Sequence, residues 1–303
     1  MKLIKPSFEI YEQAPGLEGI YEAIERAGRT CYKSKRPEGQ TAKDFVDRMI
    51  ASQHYAMLEH GTVYLTIRGI VKPFVGPSNF GKYLENPYSK VVFGEGTTFY
   101  ITTNYRVLIE NGWLDDLQCL CEPTEFHEKR VTVRFTTDRG VSHEFVRHRV
   151  FSFAQESTRY CNYSKDKFGG EITFVIPSWM NIPQGDVHRY KNADEFLVGI
   201  TNKDDIGIPL SSISSVNEDK DFLTALDVAQ YQYLKLLRKG YSPQQARQVL
   251  PNALKTELVM TGFTSDWRHF FDLRALGTTG APHPDAKALA LPLMEEFETK
   301  HLL

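Results

Sequence analysis

The chain has 303 residues, 41% of them hydrophobic and 24% charged, with a formal net charge of −2. That is enough apolar material for a sizeable core, and the slight acidic balance argues against general nucleic-acid binding while leaving room for a locally positive pocket. No run reaches the ~20 apolar residues of a membrane span, residues 1–6 lack the apolar core of a secretory leader, and four cysteines (Cys31, Cys119, Cys121, Cys161) make no disulfide framework, so a reducing, cytoplasmic setting is expected.

Residues 17–27 have helical spacing, and Thr41 can cap a second helix carrying Phe45, Met49 and Ile50. Glu59-His60-Gly61 leads into a strand over 62–67, where Val63, Leu65 and Ile67 alternate. The stretch 72–128 mixes Pro, Gly and aromatic residues. Within it 99–103 is strand-like, and 105–110 reads as a short helix ended by Gly112. Val131, Val133 and Phe135 share one face of a further strand. Asp138-Arg139-Gly140 supplies a turn, and Ser142 is expected to cap a helix starting at His143. Arg147-His148-Arg149 would then end that helix. Residues 172–177 are strand-like, while 178–219 is expected to be irregular and to include a long surface loop. A helix over 222–239 carries a stripe of Phe222, Leu226, Ala229, Tyr233 and Leu236 and stops at Gly240. Ser242, Pro243 and Gln245 start another that Pro251 ends. A strand over 254–263, a helix from Ser265 or Asp266 to Leu276, and a last helix over 284–300 complete the chain. Helices and strands are interspersed without regular βαβ alternation. This predicts an α+β fold, a mixed or antiparallel sheet packed with helices, and not a Rossmann fold.

Several signatures begin and then fail. Residues 76–82 space their glycines like a P-loop, but Tyr83 stands where a small hydroxyl must reach Mg²⁺. His143-Glu144 opens like a zinc-protease helix, yet Arg147 holds the i+4 position. Cys119, Cys121 and His127 have poor ligand spacing, and ordinary buried thiols are the better reading, so no metal site is expected.

The densest chemistry lies at Arg147-His148-Arg149, followed after seven residues by Ser157 and then by Arg159-Tyr160. Cations this close repel one another unless an anion lies between them, and phosphate is the commonest such partner of Arg. A solvated basic turn is the plain alternative. Phe145, Val146, Phe151 and Phe153 interleave with the charges, however, so the segment must be partly buried. Arg274 shares a helical face with Trp267 and Phe271. It can snorkel to water, or be held inward over a pocket where it stabilises negative charge; spacing does not choose between them. Arg247 reads first as a surface arginine, with only weak support for a site from its Pro-bounded helix, and His60 on its own reads more readily as a structural histidine than a catalytic one. A phosphate-ester hydrolase or nuclease with His148 as general acid or base, or a nucleotide-binding module stacking bases on aromatics, would use the same cluster.

The spacing of Arg147-His148-Arg149, Ser157 and Arg159-Tyr160 resembles the signature of the flavin-dependent thymidylate synthases. Leu58-Glu59-His60 before a strand, the block 246–251 around Arg247, and Phe271-Asp272-Leu273-Arg274-Ala275 are similar to further blocks of that family, in its order. The resemblance implies a single domain over 1–303 with an insertion at 70–130. It implies reductive methylation of dUMP to dTMP, with methylenetetrahydrofolate as carbon donor, FAD as hydride donor and NADPH as reductant, and without a cysteine nucleophile. It implies a homotetramer whose sites draw on more than one subunit, with small-molecule partners and no nucleic acid or membrane. Arg274 would be catalytic. Glu144, Gln155, Ser157, Arg159, Arg247 and Arg274 would contact dUMP. Cys31, His60, Thr62, Arg147, His148, Arg149 and His269 would hold FAD, with Tyr160 and His283 near folate and substrate. Glu144 stands where the family commonly has Gln, Ala154 where Asn is frequent, and Phe263 and His269 where Asn is common.

Overall fold

The computed structural model describes residues 1–68, 80–165, 170–189, 198–201, 208–209 and 219–303. The P-loop-like glycine at 76 and its next three residues lie outside them. In chain order come β1 (Lys2–Ile4), β2 (Ser7–Tyr11), α1 (Gly16–Tyr32), α2 (Ala42–Ala51) and a 3-10 turn, Tyr55–His60, that delivers β3 (Thr62–Arg68). Next are α3 (Gly81–Leu84), β4 (Lys90–Phe93), β5 (Thr98–Asn104) and α4 (Tyr105–Asn111). The second half holds β6 (Arg130–Asp138), α5 (Arg139–Phe145), β7 (Ser152–Gln155), β8 (Thr173–Val175), β9 (Gly185–Arg189), β10 (Val198–Thr201), β11 (Ile208–Pro209), α6 (Lys220–Arg238) and α7 (Pro243–Ala246). It closes with β12 (Lys255–Phe263), α8 (Thr264–Phe271), a π-helical turn at Asp272–Leu276, and α9 (Pro284–Thr299).

The architecture is α+β, as expected, and the described strands form three sheets. The central one is antiparallel, in the order β2-β6-β12-β7. Leu258 and Met260 of β12, with Val133 and Phe135 of β6, pack against Trp267, Phe270 and Phe297 on one side. Val259 faces the opposite way, onto Ala27 of α1 and Ala154 of β7. Both faces of β12 are therefore covered, and each of its large apolar side chains contributes about 1.5–3 kcal/mol by burial. Gly262 is required by this packing, since a Cβ there would meet the Phe151 ring at 2.5 Å.

The second sheet, β3-β5-β4, packs Leu65, Ile67, Phe99 and Ile101 against Ile20 and Ile24 of α1 and Leu108 of α4. Its middle strand comes from the 70–130 stretch, which is thereby tied to α1 rather than hanging free. The third is mixed, in the order β11-β10-β9-β1-β8, with β1 parallel to β8 and the other pairs antiparallel.

Two sequence expectations are corrected. The helix before the arginine motif starts at Arg139, not His143, because Asp138 Oδ1 accepts from the Val141 N–H at 2.9 Å and caps it. Ser142 instead lies within the helix, its hydroxyl donating to the Arg139 carbonyl at 2.9 Å. The expected irregular stretch 178–219 contributes three strands, β9 to β11, to the mixed sheet; 178–184 is irregular, and 190–197, 202–207 and 210–218 lie outside the described residues.

Candidate active site

α5 and the turn after it place the motif. Phe145 is fully buried among Phe135 and Phe270, which turns Glu144 to the rim. The chain then folds back through His148 N–H to the Phe145 carbonyl, 3.1 Å, and Phe151 N–H to the His148 carbonyl, 3.1 Å. His148 dips inward, its ring 5.0 Å from Phe270 and 6.2 Å from His269, while Arg147 and Arg149 stay exposed.

Arg274 meets this turn from the π-helical segment, where the widened coil re-aims the side chain. Its Nε donates to His148 Nε2 at 3.1 Å, one terminal nitrogen to Glu144 Oε2 at 2.6 Å and the other to the Glu144 carbonyl at 3.0 Å. The guanidinium is held inward, so the snorkelling alternative does not apply. His148 must be neutral to accept this bond. Burial, then the charge of Arg274, then His269 push it down to about 4. A ring with its lone pair occupied and so low a value is a poor general acid at neutral pH, which takes the central residue from the hydrolase reading.

β7 leads away from this cluster, and its far end lies roughly 10 Å from Ser152 at strand rise. There Gln155 Nε2 donates to Ser142 Oγ at 2.9 Å and Thr256 Oγ1 at 3.2 Å. The Ser157 N–H is fixed to the Cys31 carbonyl of α1 at 2.9 Å. Arg247 donates to Thr158 Oγ1 at 2.9 Å. Arg159 is exposed and lies over the Tyr160 ring, which packs 5.0 Å from Tyr32. A buried ion cluster backs this segment: Lys255 donates to Glu156 at 2.7 Å and to Glu257 at 2.8 Å, and Lys33 pairs with Glu257. Burial opposes ionisation of Glu257, yet Lys255 and Lys33 bring its carboxyl down to about 2.

His60 and Thr62 lie on the α1 side of the central sheet. His60 Nδ1 bonds Thr261 Oγ1 at 2.8 Å, and burial followed by the charge of Arg130 pushes the ring down to about 3. Thr62 Oγ1 accepts from Arg130 at 3.3 Å. His283 stands elsewhere, capping α9 through the Asp285 N–H at 3.3 Å with its ring 5.9 Å from Trp179. His127 has both ring nitrogens on local partners, the Leu65 carbonyl at 3.1 Å and the Thr124 N–H at 3.1 Å, beside Cys121 at 3.9 Å; that is a structural histidine.

Next to Arg149 opens a cleft of about 510 Å³, lined also by Arg130, Ser152, Phe263, Lys90 and Arg106. A second cavity of about 530 Å³, walled by Gln13, Tyr64, Cys121 and Lys129, lies on the other side of Arg130 and holds none of the motif residues. Sequence reasoning missed Arg130, Lys90 and Arg106. They come from three separate elements, and nothing in their local spacing brings them together.

The profile of the thymidylate synthase complementing protein family matches residues 112–301. The flavin-dependent thymidylate synthase of Corynebacterium efficiens is 30% identical over 162 residues, 53% of this chain and 54% of the relative. Those of Corynebacterium glutamicum and Corynebacterium aurimucosum are each 24% identical, covering 87% and 95% of this chain and 71% and 80% of their own. The match thus spans about half the length of the first relative and more of the other two. Among solved structures, the UMP/dUMP methylase PolB from Streptomyces cacaoi bound with 5-Br UMP aligns with a TM-score of 0.44 at 15% identity, covering 99% of this chain and 92% of that one.

Proposed function

This chain belongs to the thymidylate synthase complementing protein family, and on that premise we propose that it methylates dUMP reductively to dTMP as a flavin-dependent thymidylate synthase. Methylenetetrahydrofolate is the one-carbon donor in this reading, NADPH the reductant and FAD the coenzyme. The observation that carries it is the grip of Glu144 and His148, both on the arginine-motif segment, on Arg274. A guanidinium fixed on three sides loses little orientational freedom when negative charge grows on a uracil carbonyl, and a partly dry setting strengthens the attraction.

The residues also fit a flat anionic coenzyme. The Arg149 cleft is within the size range of cofactor sites, and Lys90 and Arg130 both lie against the Phe263 ring. FAD, when bound, supplies the hydride chemistry. Arg147, His148 and Arg149 would hold it, with His269 beside His148; of the other expected contacts, His60 and Thr62 are buried on the far side of Arg130 and Cys31 stands by Ser157. Ser157, Arg159 and Arg247 suit the dUMP phosphate, with Gln155 and Glu144 toward the base. Tyr160 is exposed beside them and suits a folate ring, and His283, at the α9 cap, is the second residue assigned to the folate and substrate vicinity.

Two further points support this reading. Burial pushes the Cys31 and Cys119 thiols up, which keeps them protonated and unsuited to nucleophilic attack at neutral pH. Val146, Val150, Tyr160 and Leu276 are large apolar side chains exposed along the motif and the Arg274 turn, the kind of surface that a partner subunit covers; a homotetramer with shared sites accounts for it. Among the described residues no helix is long and apolar enough to cross a membrane, and a cytoplasmic location completes the proposal. The test is direct: purified protein should be yellow or take up added FAD. A colourless sample that refuses FAD ends the reading.

A further inference from the structure

Arg130 opens β6 at the base of the cleft. Its terminal nitrogens donate to the Glu59 carbonyl at 3.0 Å, Thr62 Oγ1 at 3.3 Å and Ser152 Oγ at 3.4 Å, all neutral oxygens. Its Nε is sealed from solvent and bonds to nothing. Burial pulls the guanidinium down to about 10, which leaves it charged at pH 7. The Glu59 carboxylate is already taken by Arg106 at 2.6 Å, and the other arm of Arg106 by Glu110 at 2.8 Å. Asp266, the remaining carboxylate lining the cleft, accepts from the Phe263 N–H at 3.1 Å. Among the described residues Lys90, Arg130 and Arg149 make no close ion pair around this cavity, although the charge of Asp266 acts on Lys90 and Arg130 from a distance. Lys90 and Arg130 lie 5.6 and 5.5 Å from the centroid of the same Phe263 ring. A desolvated cation left without a close anion is unfavourable; Arg130 is that cation, the exposed Lys90 and Arg149 add charge at the rim of the same cleft, and with the Phe263 ring they describe a ligand with negative charge and a flat ring.

The geometry points to Arg130, Lys90 and Arg149 as the phosphate-binding wall of the coenzyme cleft, with the segment 80–110 closing that cleft from the side opposite the motif. The inference rests on the flavin reading above and deepens it: Lys90 comes from β4, and Arg106 from α4, so the added lobe would serve the coenzyme directly. Phosphate could reach the cleft from the FAD diphosphate or from the dUMP monophosphate. The diphosphate is favoured because the far end of β7 has its own guanidinium–hydroxyl set in Arg247, Thr158 and Ser157.

The test titrates the flavin-stripped full-length protein with FAD, with uncharged riboflavin and with dUMP, using flavin fluorescence and calorimetry. Lys90→Ala, at an exposed position, and Arg130→Gln should each weaken FAD about tenfold, the loss of one charge-assisted contact, while riboflavin and dUMP bind as to the parent. Unchanged FAD affinity in Lys90→Ala and in folded Arg130→Gln overturns the inference while leaving the flavin reading intact. A loss confined to dUMP assigns the wall to the nucleotide and overturns it as well. A parent protein that binds no flavin brings down both readings together. Should Arg130→Gln fail to fold by circular dichroism, Lys90→Ala decides alone.

Discussion

Arg274 and Arg130 answer the same problem in opposite ways. Each guanidinium is partly buried near the arginine motif, and each makes three hydrogen bonds. Arg274 meets a carboxylate, Glu144, and a neutral imidazole. Arg130 meets a carbonyl and two hydroxyls. The first charge is neutralised within the protein, so its field is tunable and its orientation fixed before any ligand arrives. The second is held in place but left electrically open, which suits a site meant to be filled for long periods. Orientation without open charge suits a catalytic group, and open charge suits an anchor.

The largest expected effect breaks the Arg274 side. Arg274→Ala should lower kcat on the order of 10²–10³-fold, the cost of removing one preorganised charge donor, with FAD still bound. Initial rates and the flavin absorbance of the purified variant check this; near-normal turnover would remove Arg274 from the mechanism.

Glu144→Gln sharpens the comparison by making Arg274 resemble Arg130. Without the carboxylate, anionic dUMP should bind roughly threefold to tenfold more tightly at low salt, as expected for removing a like charge across a polar site. Isothermal calorimetry reads this, and weaker binding would show that Glu144 is needed for a direct contact rather than as a counter-ion.

Acid should erode the region around both arginines. His148 and His60 are held down to about 4 and about 3 from 6.5, so the unfolded chain takes up protons first. Their contribution to stability is complete above pH 6.5 and is lost as pH falls through those folded-state values, with a slope of up to about 1.4 kcal/mol per pH unit for each ring. Unfolding followed from pH 7 to pH 4 should show a flatter decline in His60→Gln; an identical slope would mean that His60 is not buried neutral. The smallest effect belongs to the thiols. Replacing all four cysteines with Ser should leave substantial activity, and a single Cys→Ser change that stops turnover in folded protein would point to covalent catalysis.

Much of the fold was readable where one physical signal dominated. β6 alternates because one of its faces packs on Trp267 and Phe270, and the short apolar run Leu258-Val259-Met260 marks β12, whose two faces are both covered. The capping boxes at Thr41 and Ser242 are local, and both form. What escaped depended on competition or on distance. Asp138 and Ser142 both suit a cap, and only the backbone shows that Asp138 takes the Val141 N–H. β1 and β2 are too short to announce themselves, and β9 to β11 lie in polar sequence stabilised by pairing rather than by pattern. Within the site, the motif itself was legible as charge density. The direction of Arg274 was not, because the π turn shifts it relative to Trp267 and Phe271. Arg130 and Lys90 could not be seen as neighbours, since their meeting at Phe263 spans three distant strands.

The most direct measurement is dTMP formation from dUMP, methylenetetrahydrofolate and NADPH by flavin-stripped protein, with and without added FAD. The account predicts that dTMP appears only when FAD is restored. Equal dTMP in both samples, or none in either from folded protein, would contradict it.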